Sequence, residues 1–276
     1  MTQIKAAEVS KLRKITGAGM MDCKKALQEA EGNFDKAIEI IRKKGQAVAN
    51  KRAERDASEG VVLAKVSSAG DKGAMIVLNC ETDFVAKNEN YIAFANSILD
   101  LALNEAPGTL EELKQLKLGE GTVEEAVTEQ IGVIGEKLDL SYYNTVSAPS
   151  VVAYIHPGNK LASLAGFNQA GLEKRVGKDV VMQIAAMNPV AIDKDFVSED
   201  IIEKELEIGK EQAKREGKPD NLLDKIAQGK LNKFFKESTL LNQDFVKDNK
   251  KTIKQYLQEQ NKDLTVSDFK RFSLNV

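Results

Sequence analysis

The segment Thr82-Asp83-Phe84-Val85 is where residue types and spacing could act on something other than the chain itself. It follows the apolar run Ala74-Met75-Ile76-Val77-Leu78-Asn79-Cys80 and precedes a helical pattern opening at Asn88, so Phe84 falls on a polar connection between a strand and a helix. A large apolar side chain in that setting can anchor a partner, with Asp83 beside it as a charged contact. Taken locally, the simpler reading makes Phe84 a hydrophobic staple for the next helix and Asp83 a turn residue.

Bond-making chemistry has little to work with. His156 is the only histidine, and before Pro157-Gly158-Asn159 it reads as a turn residue more than as a catalytic base. Cys23 and Cys80, in contexts that read as a helix and a strand, are most simply buried small apolar groups. One His and two distant Cys give no zinc spacing. Gly17-Ala18-Gly19 lacks the preceding strand and third Gly of a dinucleotide fingerprint, and the sequence contains no Gly-x-x-x-x-Gly-Lys-[Ser/Thr] phosphate loop. No catalytic residue, cofactor or metal is expected. An enzyme pairing Asp83 with another carboxylate is the weaker class, because spacing singles out no pair.

Composition sets further bounds. A net charge of −2 with 30% charged residues means mixed signs rather than a basic surface, which argues against a nucleic-acid partner. No apolar stretch is long enough to cross a membrane, and the amino terminus, Met1-Thr2-Gln3-Ile4-Lys5, opens no signal or transit pattern. With no disulfide framework, a cytoplasmic location is expected.

The elements that must position these residues read as α+β. Ile4, Ala7, Leu12 and Ile15 share one helical face, Met20, Cys23, Lys24 and Leu27 a second, and Phe34, Ala37, Ile38 and Ile41 a third, with Asn33 as an N-cap. Met20 and Met21, about 100° apart around a helix, cannot both enter one small core, so one is expected inside and one free. Lys43-Lys44-Gly45 then opens a charged stretch read as linker or solvated helix. Strands are expected at 60–66 and 74–80, joined by a Gly-containing turn, and a helix from about Asn88 to Asn104. Capping boxes at Thr109-x-x-Glu112 and Thr122-x-x-Glu125 open two more helices. Strands follow at 141–146, 151–155 and 161–167, then a helix at about 178–187. Alternation of hairpins with helices favours antiparallel sheets. From 198 to about 237, two helical patterns flank Gly217-Lys218-Pro219, with acids at the start of the first and bases at its end, reading as an antiparallel helical hairpin or short coiled coil. A last helix at about 251–260 and a strand at about 265–274 return the chain to a sheet.

Two segments carry a resemblance. Thr16-Gly17-Ala18-Gly19-Met20-Met21-Asp22-Cys23-Lys24-Lys25-Ala26-Leu27 and Thr82-Asp83-Phe84-Val85-Ala86-Lys87 resemble the signature segments of the elongation factor Ts family, the nucleotide-exchange factors for elongation factor Tu. The resemblance spans nearly the whole domain order. It implies a three-helix, UBA-like docking module (1–45), a linker (46–58), two related core subdomains (59–140 and 141–197), the helical hairpin (198–239) and a carboxy-terminal return (240–276). The chain reaches Asn275-Val276 soon after Phe269-Lys270-Arg271-Phe272, whereas some family members continue into another helix.

The resemblance also reverses the local reading of Phe84. It implies that Thr82, Asp83, Phe84 and Val85 meet the GTPase domain of elongation factor Tu, with Phe84 wedged beside the magnesium site, in GDP-bound and nucleotide-free complexes. It further implies that Arg13, Met20 and Met21 contact that domain, and that His156 meets another domain, although the turn after His156 departs from the Gly-rich, Arg-containing family form. Homodimerisation or a two-to-two complex through the hairpin is left open. The alternative is an adaptor that binds a partner through the three-helix module and the hairpin without exchanging nucleotide.

Overall fold

The computed structural model describes residues 4–274; Met1-Thr2-Gln3 and Asn275-Val276, and with them the readings placed on the two ends, lie outside the described residues. The fold is α+β, as expected.

Helices α1 (Ala6–Thr16), α2 (Met20–Glu29) and α3 (Phe34–Arg52) open the chain. Gly17, at φ 69, closes α1 by donating its N–H to Arg13 O, and Asn33 caps α3 by accepting from Lys36 N at 3.1 Å. Val9, Leu12, Cys23, Ala26, Leu27 and Ala37 form the small core of this bundle. Several stripe positions read from the sequence differ. Ala7, Ile15 and Lys24 are exposed, because the buried faces run through Val9 and Leu12 on α1 and through Cys23, Ala26 and Leu27 on α2.

The stretch read as a linker from 46 begins inside α3, which runs unbroken to Arg52. Its second half docks on α7 (Val123–Ile134): Gly45 lies against the backbone of Gly132, Val48 and Ala49 pack on the core, and Arg42 bonds Glu120 at 3.1 Å and Glu129 at 2.7 Å. Gly, Ala and charged residues print no apolar stripe, so this half read as a linker or a solvated helix rather than as part of the core.

Strands β1 (Glu59–Val66) and β2 (Lys72–Cys80) form the expected hairpin, and helices α4 (Asp83–Ala86), α5 (Glu89–Glu105) and α6 (Leu110–Gln115) follow. The two-residue strands β3 (Lys117–Leu118) and β4 (Gly121–Thr122) lead into α7, and β5 (Leu138–Ser147) adds to β2 in the order β1-β2-β5. The capping box at Thr122 is complete. That at Thr109 is half formed, since the Glu112 carboxylate accepts from Gly108 N instead.

A second antiparallel sheet comprises β6 (Ser150–Ile155), β7 (Leu161–Phe167) and the last strand of the described residues, Val266–Ser273, with β7 in the middle. Helix α8 (Lys174–Met187) covers it. Helices α9 (Glu199–Arg215) and α10 (Leu223–Ser238) form the hairpin, where Gly209 lets Ala227 approach closely and Lys210 pairs with Asp224 at 2.6 Å. Pro219 precedes a short 3-10 turn, Asp220–Leu222, rather than starting α10. Strands β8 (Asp244–Phe245) and β9 (Asp248–Thr252), helix α11 (Ile253–Gln260) and strand β10 (Val266–Ser273) return the chain to β7.

The two sheets pack back to back. Val61, Leu63, Ile76, Leu78 and Cys80 face α5 and α7, while Val62, Ala64, Met75 and Val77 face Ala162 and Leu164 of the second sheet. Both faces of β1 and β2 are therefore apolar, which is why they read as continuous runs rather than as alternating ones. The Thr82 segment emerges from this four-layer stack.

Candidate partner-binding site

β2 ends at Cys80, and the connection to α5 contains one turn of helix that the sequence reading missed. Thr82 is the N-cap of α4, its Oγ accepting from Val85 N at 3.4 Å, and Asn88 in turn caps α5 by accepting from Asn90 N at 2.9 Å. Side chains two apart in a helical turn point to nearly opposite sides. Ala86 is buried and Val85 packs against the core, which turns Phe84 outward with 83% of its surface exposed. Phe84 is no staple for α5; it stands in solvent.

Asp83 pairs with Lys87 at 2.6 Å. The Lys87 hydrogen bond and charge, with a further contribution from Lys160, hold its carboxyl below the usual carboxylate range. Lys160 pairs with Glu59 at 2.8 Å, and Val62 N donates to Asn159 O at 2.6 Å, so the turn carrying His156 is tied to β1 beside the Thr82 segment. His156 is exposed, its Nδ1 2.9 Å from Tyr154 Oη.

In the helical module Arg13 is exposed and so are both methionines, Met20 at 57% and Met21 at 62%. The expectation that one of them enters the core is corrected: the first turn of α2 overhangs the small core that Cys23, Ala26 and Leu27 fill. Ile15, assigned to the core by its spacing, is 56% exposed near the same turn. The α1–α2 turn abuts the end of α7, where Gly17 faces Val133, and three residues further along Glu136 grips Thr82. The end of α7 thus lies against both the helical module and the Thr82 segment. A cleft of about 370 Å³ lies between the module and α7 beside these contacts, lined by Thr16, Ile41, Glu120 and Glu129 among others.

The polar groups behind Thr82 were not visible locally. Glu136 accepts from Thr82 N at 3.0 Å and from Thr82 Oγ at 2.7 Å, and Glu81 accepts from Lys137 N at 2.6 Å and from Arg52 Nη1 at 2.7 Å. Cys80 is buried, its thiol donating to Thr82 O and pushed up by burial to about 11. Only Gly135, a glycine that ends α7 in the left-handed region, hints in the sequence that Glu136 is turned toward something.

Glu81 carries a pH signature. The Lys137 backbone hydrogen bond, with the Arg52 and Arg55 charges, lowers its folded pKa from 4.5. A depressed carboxylate contributes stability that is complete above its unfolded value and lost as pH falls through the folded one. Glu81→Gln is therefore expected to be less stable than the wild type from pH 5 to 8, the gap narrowing as pH falls below the ordinary carboxylate range. Unfolding titrations across that range check it, and a gap independent of pH would refute it.

Among the described residues no group of three His, Cys, Asp or Glu side chains is placed to hold a metal ion, and no helix is long and apolar enough to cross a membrane. The family model described as elongation factor TS matches residues 81–276. The elongation factor Ts of Amoebophilus asiaticus is 57% identical over 270 residues, covering 97% of this chain and 98% of that protein. That of Porphyromonas gingivalis is 54% identical over 271 residues, covering 97% of each chain. That of Christiangramia forsetii is 52% identical over 276 residues, covering 99% of this chain and all of that protein. With its antiparallel α+β core behind a Thr82-Asp83-Phe84-Val85 turn that exposes Phe84, and with relatives of this identity over nearly its whole length, the chain belongs to the elongation factor Ts family.

Proposed function

We propose that the chain is a guanine-nucleotide exchange factor for elongation factor Tu in translation elongation, working by mechanical displacement rather than by covalent chemistry. The observation that carries this reading, beside family membership, is Phe84: a phenylalanine 83% exposed on a turn whose other residues are anchored. Lone exposed apolar residues are common, but one held on a pinned turn is suited to enter a partner.

In this mechanism Phe84 enters between helices of the partner GTPase beside its magnesium site. Magnesium demands near-ideal octahedral geometry, so a small helix displacement disturbs its coordination and weakens nucleotide binding. Burying the ring contributes about 1.5 to 3 kcal/mol, enough to assist the displacement but not to open the site alone. Arg13, Met20 and Met21 supply the second contact, Thr82, Asp83 and Val85 flank the wedge, and the His156 turn meets another domain. Asp83 exchanges its bond with Lys87 for contacts across the interface. Factor and nucleotide weaken each other's binding by the same ratio, so incoming nucleotide expels the factor from the nucleotide-free complex.

The test is release of labelled GDP from purified elongation factor Tu. Acceleration that saturates with factor concentration is expected; a release rate independent of the factor would end this reading and leave the adaptor.

A further inference from the structure

We infer that Glu136 is a positioning residue for Phe84: its carboxylate fixes the N-cap of α4 so that the ring is presented in one orientation. The inference rests on the exchange reading and adds to it a residue outside the exposed turn.

A four-residue helix has too few internal hydrogen bonds to hold its own shape or direction, so its orientation must be imposed from outside. Its apolar anchors, Val85 and Ala86, set depth, and Asn88 N donating to Val85 O ties its far end to α5, which leaves the amino-terminal end to be held. Glu136 supplies the missing constraint. One oxygen accepts from Thr82 N at 3.0 Å and the other from Thr82 Oγ at 2.7 Å. Two bonds from one planar group fix direction as well as distance. The Thr82 hydroxyl that donates to Glu136 also accepts from Val85 N, so the grip passes into the turn. Phe84 is the residue between.

The carboxylate is itself fixed. Gly135, at φ 81, ends α7 and turns the chain toward Thr82. On the other side Lys137 donates its N–H to Glu81 and its ammonium to Ala53 O at 2.8 Å and Arg55 O at 2.9 Å, while Arg52 at the end of α3 completes the hold on Glu81. The segment Gly135-Glu136-Lys137 thus joins the end of α3, the end of β2 and the start of α4. An anchor already fixed in its bound orientation loses less freedom on insertion.

The experiment is stopped-flow release of fluorescent GDP from elongation factor Tu over a series of factor concentrations. It uses the wild type, Glu136→Ala, Glu136→Gln, Phe84→Ala and the double variant Phe84→Ala/Glu136→Ala. Glu136→Ala is expected to lower the maximal release rate about tenfold and to leave the half-saturating concentration within about twofold. Glu136→Gln should recover most of the rate, because its amide oxygen still accepts from Thr82 N and its NH₂ can donate to the Thr82 hydroxyl. The double variant should be no slower than Phe84→Ala, since without the ring there is nothing left to orient. A wild-type maximal rate in Glu136→Ala would overturn the inference, and so would a double variant slower than Phe84→Ala by the full Glu136 effect, which marks general loosening. Should Glu136→Ala fold poorly, Thr82→Val removes the hydroxyl end of the same grip, and an unchanged maximal rate there is equally fatal. Exchange that depends on Phe84 but not on Glu136 removes this inference alone; a wild type without exchange activity removes the exchange reading with it.

Discussion

Phe84→Ala is expected to slow GDP release from elongation factor Tu by roughly 10- to 100-fold while leaving the thermal midpoint of the free protein unchanged. The size follows from the transfer free energy: about 1.5 to 3 kcal/mol of ring burial forfeited at the partner, at about 1.4 kcal/mol per tenfold. The unchanged midpoint follows from the 83% exposure of Phe84, because substitutions of side chains that contact little of their own fold usually stay within about 0.5 kcal/mol. The two readouts must separate. Parallel loss of stability and exchange would make Phe84 a structural residue after all, and wild-type exchange would leave the wedge without a ring. Thermal unfolding and the labelled-GDP assay on one preparation decide between them.

What the sequence made legible was whatever leaves a local trace. β1 and β2 stood out because both of their faces are buried between helices and the second sheet, so nearly every residue is apolar and a turn containing Gly70 separates the runs. The hairpin of α9 and α10 stood out through charges matched to the helix ends. Phe84 stood out by contrast, as an apolar residue in a polar setting, but the local reading made it a staple for the next helix, and its exposure agrees with the resemblance instead.

The remainder depends on contacts distant in sequence or on elements too short for a period. α4 is a single turn, and four residues cannot display a repeat of 3.6. The partner of Thr82 lies 54 residues away at Glu136, and that of Glu81 lies 29 residues away at Arg52. Neither separation has any expression in a local pattern. Met20 and Met21 followed a correct geometric rule with a wrong premise: adjacent helical residues diverge, yet a core this small leaves both outside. The second half of α3 was hidden because the residues that dock it are Gly45, Val48 and Ala49, a contact made by smallness more than by apolar bulk. A cut at residue 50, which a linker reading invites, would sever a helix that packs on the core.

The α3–α7 contact yields an asymmetric pair of substitutions with the largest expected effect on stability. A Cβ on Gly132 would lie 2.5 Å from Gly45 Cα, a backbone atom that no rotamer change can move, so α3 and α7 must separate. Overpacking of that kind costs about 1 to 3 kcal/mol. Removing a glycine from a helix interior returns about 1 kcal/mol, too little to cancel the clash. Across the same contact, a Cβ on Gly45 would meet nothing nearer than 3.6 Å, an ordinary van der Waals distance. Gly132→Ala is therefore expected to lower stability by a net of up to about 2 kcal/mol, whereas Gly45→Ala is expected to raise it by up to about 1 kcal/mol. Because α3 carries the helical module and also ends at Arg52, which holds Glu81, separation of the helices should disturb both of the contacts proposed with the GTPase at once. Gly132→Ala should then raise the half-saturating concentration for exchange, and Gly45→Ala should leave it unchanged. Denaturant unfolding and exchange titrations on the two variants give four numbers. Equal stability changes of the same sign would mean that α3 and α7 touch without interlocking, and that the two arms are not held by this contact.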